Sequence, residues 1–191
     1  KREKKLLGVE VYGKTIGIIG LGRVGSHMAK MAKGVEMKVI GYDPLITKEK
    51  AKSLGVELVS LDELLKVSDY VSLHIPRTPE TKNIIGEDAL SKMKKNARVI
   101  NCARGGVLDE AALYRALKDG KIAGAALDVF GQEPLIDSPL LELDNVVVTP
   151  HLGASTQEAQ INVAIDIANS IASALNEGKF ENAINLSSIK R

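Results

Sequence analysis

A histidine, an arginine and several carboxylates stand at or just past the ends of apolar runs in this 191-residue chain. His151 follows "NVVVTP", Arg104 follows "ARVINCA", Asp128 falls in "AGAALDV", and Glu133 lies in the loop after it. Histidine titrates near neutrality and can take or give a proton. A guanidinium can hold a carboxylate through two parallel hydrogen bonds. Gly105 and Gly106 follow Arg104, so its loop can approach a ligand closely. A carboxylate such as Glu133 beside a histidine would favour the charged ring and fix its orientation. A carboxylate closing an apolar run, as Asp128 does, is costly unless it meets a polar group. These types suit acid–base chemistry on a small molecule bearing a carboxylate. Read singly, each also has a structural explanation: a surface salt bridge for Arg104, a strand-end cap for Asp128, a solvated loop acid for Glu133.

A second group could hold a phosphate. "GIIGLGRVG" places Gly20, Gly22 and Gly25 in G-x-G-x-x-G spacing, after an apolar run and before a helical segment. In that setting Gly20 allows the tight turn, Gly22 lets the backbone approach a pyrophosphate, and Gly25 lets the helix pack close to the strand. The helix start then offers free N–H groups and the positive end of its dipole. The next run, "KVIGYD", ends in Asp43, near the expected place for an acid that binds a ribose 2′-hydroxyl and repels a 2′-phosphate. NAD is favoured over NADP on that ground.

The elements that must position these groups are seven short apolar runs, at 15–20, 38–43, 56–60, 70–75, 97–103, 123–129 and 145–150. Most are continuously apolar, as strands covered on both faces are. Helical segments fall between them. Residues 23–33 come after the glycines. Residues 61–66 come after Ser60, which stands with Glu63 in capping-box spacing, and residues 109–119 lie between Asp109, a cap, and Gly120, a terminating glycine. Alternation of this kind predicts a doubly wound α/β fold with a parallel sheet of about seven strands. In such a sheet ligands bind beyond the carboxyl ends of the strands. The polar residues of the apolar runs collect at that edge: Asp43, His74, Asn101, Cys102, Arg104, Asp128 and His151. Solubility alone would scatter them over both edges.

Composition excludes several classes. A net charge of +2 is too small to argue for nucleic acid or an anionic membrane, and the aromatic share of 3% is too low for base-stacking platforms. The basic opening "KREKK" reads as a solvated segment. No apolar run is long enough to span a bilayer, and no signal peptide is visible. The single cysteine, Cys102, rules out an intrachain disulfide and fits a reducing, cytoplasmic setting. Cys102 has no evident base beside it and reads as a small residue lining a cofactor. His74, without an evident acid partner, reads as cofactor wall, and His27 as a surface residue. No His/Cys cluster has metal-site spacing.

Across "GIIGLGRVG", "VIGYDP", "LHIPRTPET", "NCARGGVLDEAAL", "GAALDVFGQEP" and "TPHLGAST" the sequence resembles the D-2-hydroxyacid dehydrogenase family. "NCARGG" and "HLGAST" look like its phosphoglycerate branch. The resemblance implies NAD as cofactor and a 2-hydroxy acid as substrate. It makes His151 the acid/base, Glu133 its partner and Arg104 the holder of the substrate carboxylate and carbonyl. It also puts Gly20, Gly22, Arg23, Val24 and Gly25 at the pyrophosphate and Asp43 at the adenosine ribose. His74, Ile75, Cys102, Ala103, Arg104, His151, Gly153 and Ala154 would line the cofactor, and Asp128 would hold the nicotinamide carboxamide. A homodimer or higher homo-oligomer is implied for a full-length protein. Alternatives within the resemblance are a glyoxylate or hydroxypyruvate reductase, another 2-hydroxyacid dehydrogenase, or a non-catalytic NAD-sensing module.

Two departures stand out. The family usually has a glycine directly before "MKVIGYDP", where this chain has Glu36, with Gly34 two residues earlier. Family members also begin with half of a substrate domain, which is absent here. The expected organisation is a cofactor domain over residues 1–154, then a helix and tail over 155–191 that would return to the missing domain. That helix, opened by Ser155 and Glu158, carries two apolar stripes: Ile161, Ile165, Ala168, Ala172 and Leu175, then Val163, Ile167, Ile171 and Ala174. Two stripes are more than one sheet surface can cover.

Overall fold

The computed structural model describes residues 8–134, 137–180 and 182–186. The basic opening "KREKK" lies outside them. The chain forms two compact units, Lys1–Pro150 and His151–Arg191.

The first unit holds a seven-stranded parallel sheet. Its strands are β1 (Thr15–Ile19), β2 (Lys38–Tyr42), β3 (Glu57–Leu58), β4 (Tyr70–Leu73), β5 (Arg98–Asn101), β6 (Gly124–Leu127) and β7 (Val146–Val148). The strand order is β3-β2-β1-β4-β5-β6-β7. The chain winds one way from β1 to β3 and the other way from β4 to β7, so the order reverses between β1 and β4. Crevices for ligands open at such a reversal. All seven predicted runs contain a strand. The run at 56–60 yields only β3, two residues long, because an edge strand has a partner on one side only.

Helices cover both faces: α1 (Arg23–Gly34), α2 (Lys48–Ser53), α3 (Leu61–Val67), α4 (Glu87–Lys92) and α5 (Glu110–Lys118). One face of the sheet carries Ile16 and Ile18 against Ala29 and Ala32 of α1. These alanines are small, so α1 lies close to the strands. The other face carries Ile19, Val71, Leu73 and Val99 against Leu64, Leu90 and Leu113. Side chains like Ile18 and Leu64 are fully buried, and truncating one to alanine costs about 2–5 kcal/mol. Ser60 caps α3 by accepting the Glu63 N–H at 3.2 Å, and Asp109 caps α5 by accepting the Ala112 N–H at 3.0 Å. Gly120, at φ 62°, stands past the end of α5 in the left-handed region.

Glu36 resolves one departure. It stands at φ 58°, in the left-handed region, where the chain leaves α1. The Met37 N–H there bonds back to the Ala32 carbonyl at 3.0 Å, closing the helix end as a terminating glycine would. Gly34 is still helical and does not take over that role. A non-glycine residue here costs about 1 kcal/mol. Glu36→Gly should therefore stabilise the chain by about that amount, raising the midpoint in a thermal melt. An unchanged or lowered midpoint would contradict the strain.

The second unit holds α6 (Gln157–Glu177). Its cap is Thr156, whose hydroxyl accepts the Ala159 N–H at 3.1 Å, and not Ser155 as the capping-box spacing suggested. The two hydroxyl residues are adjacent, and backbone geometry selects between them: Thr156 is extended, while the Ser155 N–H closes a turn on the Leu152 carbonyl at 2.9 Å. α6 has no buried residue, and Ile161, Val163, Ile165, Ile167, Ile171 and Leu175 are all exposed. The first apolar stripe is exposed, while Phe180, Asn182 and Ala183 border the second beside Val163, Ile167, Ile171 and Ala174.

Candidate active site

Register aligns the candidate residues. Tyr42, Ile19, Leu73, Asn101, Leu127 and Val148 form one row across six strands. One residue further along each strand stand Asp43, Gly20, His74, Cys102, Asp128 and Thr149. The carboxyl edge is therefore a single line of polar and small residues, with the reversal of strand order between Gly20 and His74. Asn101-Cys102-Ala103-Arg104 and the loop bearing Glu133 extend from the same edge.

Each glycine of the first turn has a measurable reason. Gly20 has φ 91°, and a Cβ there would sit 2.6 Å from the His74 carbonyl oxygen. A Cβ at Gly25 would sit 1.9 Å from the Gly20 carbonyl oxygen, so α1 starts directly on the turn. A Cβ at Gly22 would meet nothing within 4 Å. Gly22 is also the N-cap of α1, with no side-chain cap, and the first turn holds no acidic residue. The N–H groups that a cap would satisfy are left to an external acceptor. The donors and the open approach fit a pyrophosphate. Arg23 and Val24 flank this place and are exposed, Val24 at 67%.

Asp43 is tied into the same turn. Its Oδ2 accepts the Leu21 N–H at 2.8 Å and its Oδ1 accepts the Leu45 N–H at 2.9 Å. Each carboxylate oxygen keeps a second lone pair for a hydroxyl ligand.

His74 is half-buried at the end of β4, with Ile75 beside it. Its Nε2 lies 2.9 Å from the Ser72 hydroxyl oxygen. Burial lowers its pKa from the ordinary 6.5, so the ring is neutral at neutral pH. His27 is exposed on α1.

The loop after β5 rests on Asn101, whose importance sequence reasoning missed. Asn101 is buried; its Oδ1 accepts the Ala103 N–H at 3.1 Å, and its Nδ2 donates to the Arg104 carbonyl at 3.0 Å. This side chain braces the loop and sets the course of the chain through Arg104. An asparagine ending an apolar run, with a turn two residues on, was the available signal. Gly105 presses this loop against another: a Cβ there would fall 1.7 Å from the Phe130 carbonyl oxygen. Arg104 is exposed, and its Nη1 donates to the Ala103 carbonyl at 2.6 Å. Desolvation raises the Cys102 thiol pKa and the charge of Asp128 adds to it, although the residue as a whole is exposed. A thiol so held is not primed as a nucleophile.

Asp128 is buried at 3% exposure, and its Oδ1 accepts the Thr149 hydroxyl at 2.5 Å. Thr149 is a second residue that sequence reasoning missed. Glu133 is exposed, with its Oε1 accepting the Phe130 N–H at 2.9 Å, so the loop's own backbone orients this carboxylate. His151 belongs to the second unit with Gly153 and Ala154; it is exposed and has φ 56°. By chain position it lies two residues past Thr149. Among the described residues no group of three or more His, Cys, Asp or Glu side chains could hold a metal ion.

Residues 1–153 match the family model described as "D-isomer specific 2-hydroxyacid dehydrogenase, NAD binding domain". The chain belongs to this family. A D-3-phosphoglycerate dehydrogenase from Methanocaldococcus jannaschii is 54% identical over 187 residues, which is 97% of this chain and 36% of that protein. Among solved structures, an NAD-complexed D-isomer specific 2-hydroxyacid dehydrogenase from Lactobacillus delbrueckii ssp. bulgaricus matches with TM-score 0.77 and 36% identity. That match covers 91% of this chain and 57% of the other. An acyclic imino acid reductase in complex with NADPH and D-Arg matches with TM-score 0.80 and 40% identity, over 88% of this chain and 53% of the other. The chain spans about a third of the length of the curated relatives it matches. Family membership carries the NAD-binding assignment. The donor-rich glycine turn and Asp43 are the features of this dehydrogenase domain that suit it. No helix among the described residues is long and apolar enough to cross a membrane.

Proposed function

We propose that this chain is the cofactor-binding part of an NAD-dependent D-3-phosphoglycerate dehydrogenase, which oxidises 3-phospho-D-glycerate to 3-phosphohydroxypyruvate in serine biosynthesis. The observation that carries the reading is the aligned strand-end row, with the glycine turn and Asp43 on one side of the sheet reversal and Arg104 and Asp128 on the other. The identity to a phosphoglycerate dehydrogenase over nearly the whole chain supports the substrate.

In this reading the N–H groups at Gly22, Arg23 and Val24 take the pyrophosphate. Asp43 accepts the ribose hydroxyls. Ile75, Cys102 and Ala103 line the cofactor, as do Gly153 and Ala154. Asp128, fixed by Thr149, accepts from the carboxamide. Bound NAD supplies the acceptor for the hydrogen that leaves C2 with its electron pair. Arg104 holds the substrate's carboxylate and the oxygen that becomes the carbonyl. His151 takes the hydroxyl proton, and Glu133 favours the charged ring that results. The protein's share is placement and charge. The full-length protein is read as a homodimer or higher oligomer.

The test has two arms. The full-length protein should reduce NAD with 3-phospho-D-glycerate in preference to a panel of other 2-hydroxy acids. The 191-residue chain should bind NADH yet give almost no turnover, because little in it can orient the substrate against the cofactor or exclude water. Preference for another acid would move the substrate assignment, and failure of the chain to bind NADH would sink the cofactor reading.

A further inference from the structure

His74 does more at the sheet edge than line a wall. Its main chain is locked to β1 through the N–H donated to the Ile19 carbonyl at 2.8 Å. Its carbonyl oxygen lies 2.6 Å from where a Gly20 side chain would begin, and its own Cβ lies 3.4 Å from where a Gly25 side chain would begin. The first and third glycines of the turn therefore both rest on this one residue. Tyr70, Ser72 and His74 alternate onto the face of β4 that α1 covers, while Val71 and Leu73 enter the core on the other face. On that face Ser72 is almost fully buried, at 4% exposure, and its hydroxyl meets the His74 ring. The ring is thus tied down into the sheet rather than pointed freely at solvent.

Resting on the dinucleotide reading above, we propose that His74 is a positioning residue for the cofactor: anchored by Ser72, it sets the height of the Gly20–Gly25 turn on which the pyrophosphate lies. On the β2 side the turn is held by the Gly20 N–H donated to the Tyr42 carbonyl at 2.9 Å and the Leu21 N–H donated to Asp43, and on the β4 side it meets His74, with Ile75 beside it. Gly22 borders open space, and α1 lacks a side-chain cap. A shift of the turn moves the first N–H groups of α1 together, so loss of the anchor weakens several bonds to the pyrophosphate at once.

The test is NADH binding to the 191-residue chain, tracked by nicotinamide fluorescence; the chain has no tryptophan to interfere. His74→Leu removes the ring's bond and leaves the Ser72 hydroxyl buried without its partner. His74→Gln places an amide where Nε2 stands and keeps the bond. His74→Leu should bind NADH about tenfold more weakly, and His74→Gln should stay within about threefold of the parent. The double variant Ser72→Ala/His74→Leu separates positioning from stability. Removing both partners relieves the unpaired hydroxyl, so the melting temperature should recover toward the parent's. Affinity should not recover, because the anchor is still gone. A role confined to stability would have affinity recover with the melting temperature, or never fall at all, and either result overturns the proposal. If the parent chain does not bind NADH, the dinucleotide reading falls first and takes this one with it. If the parent binds and all variants bind equally, only the role of His74 falls.

Discussion

His151→Ala in the full-length protein should lower turnover by about a thousandfold while NADH binds as before, since a positioned acid–base group contributes about 10²–10⁴ in rate. No bond to the cofactor's adenosine or pyrophosphate depends on the imidazole in the proposed arrangement, so binding and chemistry separate at this residue. Glu133→Gln makes the companion case. The glutamate is oriented by the Phe130 N–H, so its charge is fixed in direction. Without that charge the ring that has taken the proton loses support, and turnover should fall by about tenfold or more. Steady-state rates and NADH titrations check both. Unchanged turnover in His151→Ala would remove the residue from the mechanism, and unchanged turnover in Glu133→Gln would undo the pairing.

Asp43→Ala should cost NADH affinity heavily and bring NADPH level with it mainly through that loss. The carboxylate holds two backbone N–H groups as well as repelling a 2′-phosphate: Leu21 in the glycine turn at 2.8 Å and Leu45 in the next loop at 2.9 Å. Hydrogen bonds to a charged group are worth about 1.5–3 kcal/mol each, so losing the brace and the ribose contact together projects to about a hundredfold in NADH affinity. NADPH should gain little, because the turn that carries its pyrophosphate is loosened too. Asp43→Asn retains one acceptor oxygen and should fall between. Titration of both cofactors decides it. A variant that keeps NADH affinity while gaining NADPH affinity would show that Asp43 acts by charge repulsion alone.

The sheet was legible because most strands are short apolar runs, the central ones covered on both faces though β7 leaves Val147 and Val148 exposed, and the cofactor turn because glycines at fixed spacing have few other uses there. The edge row was legible as a set of strand-end residues, since parallel strands with short connections end together. The rest was hidden. The Asn101 brace and the double use of Asp43 depend on which backbone groups the fold brings near, and spacing carries no such information. α2 and α4 were missed because each is six residues long, too short for a helical period to show. Thr149 escaped notice beside His151, because a hydroxyl becomes informative only once Asp128 is seen across from it.

The contact between Gly105 and Phe130 carries a consequence for how such proteins diverge. What a side chain at 105 would strike is a main-chain carbonyl, and no exchange of side chains can move that out of the way. A side chain at 105 is therefore blocked unless both backbones change together. The two segments, one bearing Arg104 and the other leading to Glu133, are tied to each other at this point. Exposed side chains such as Lys30 on α1 carry no such linkage, and it is there that descendants of one ancestor are free to differ.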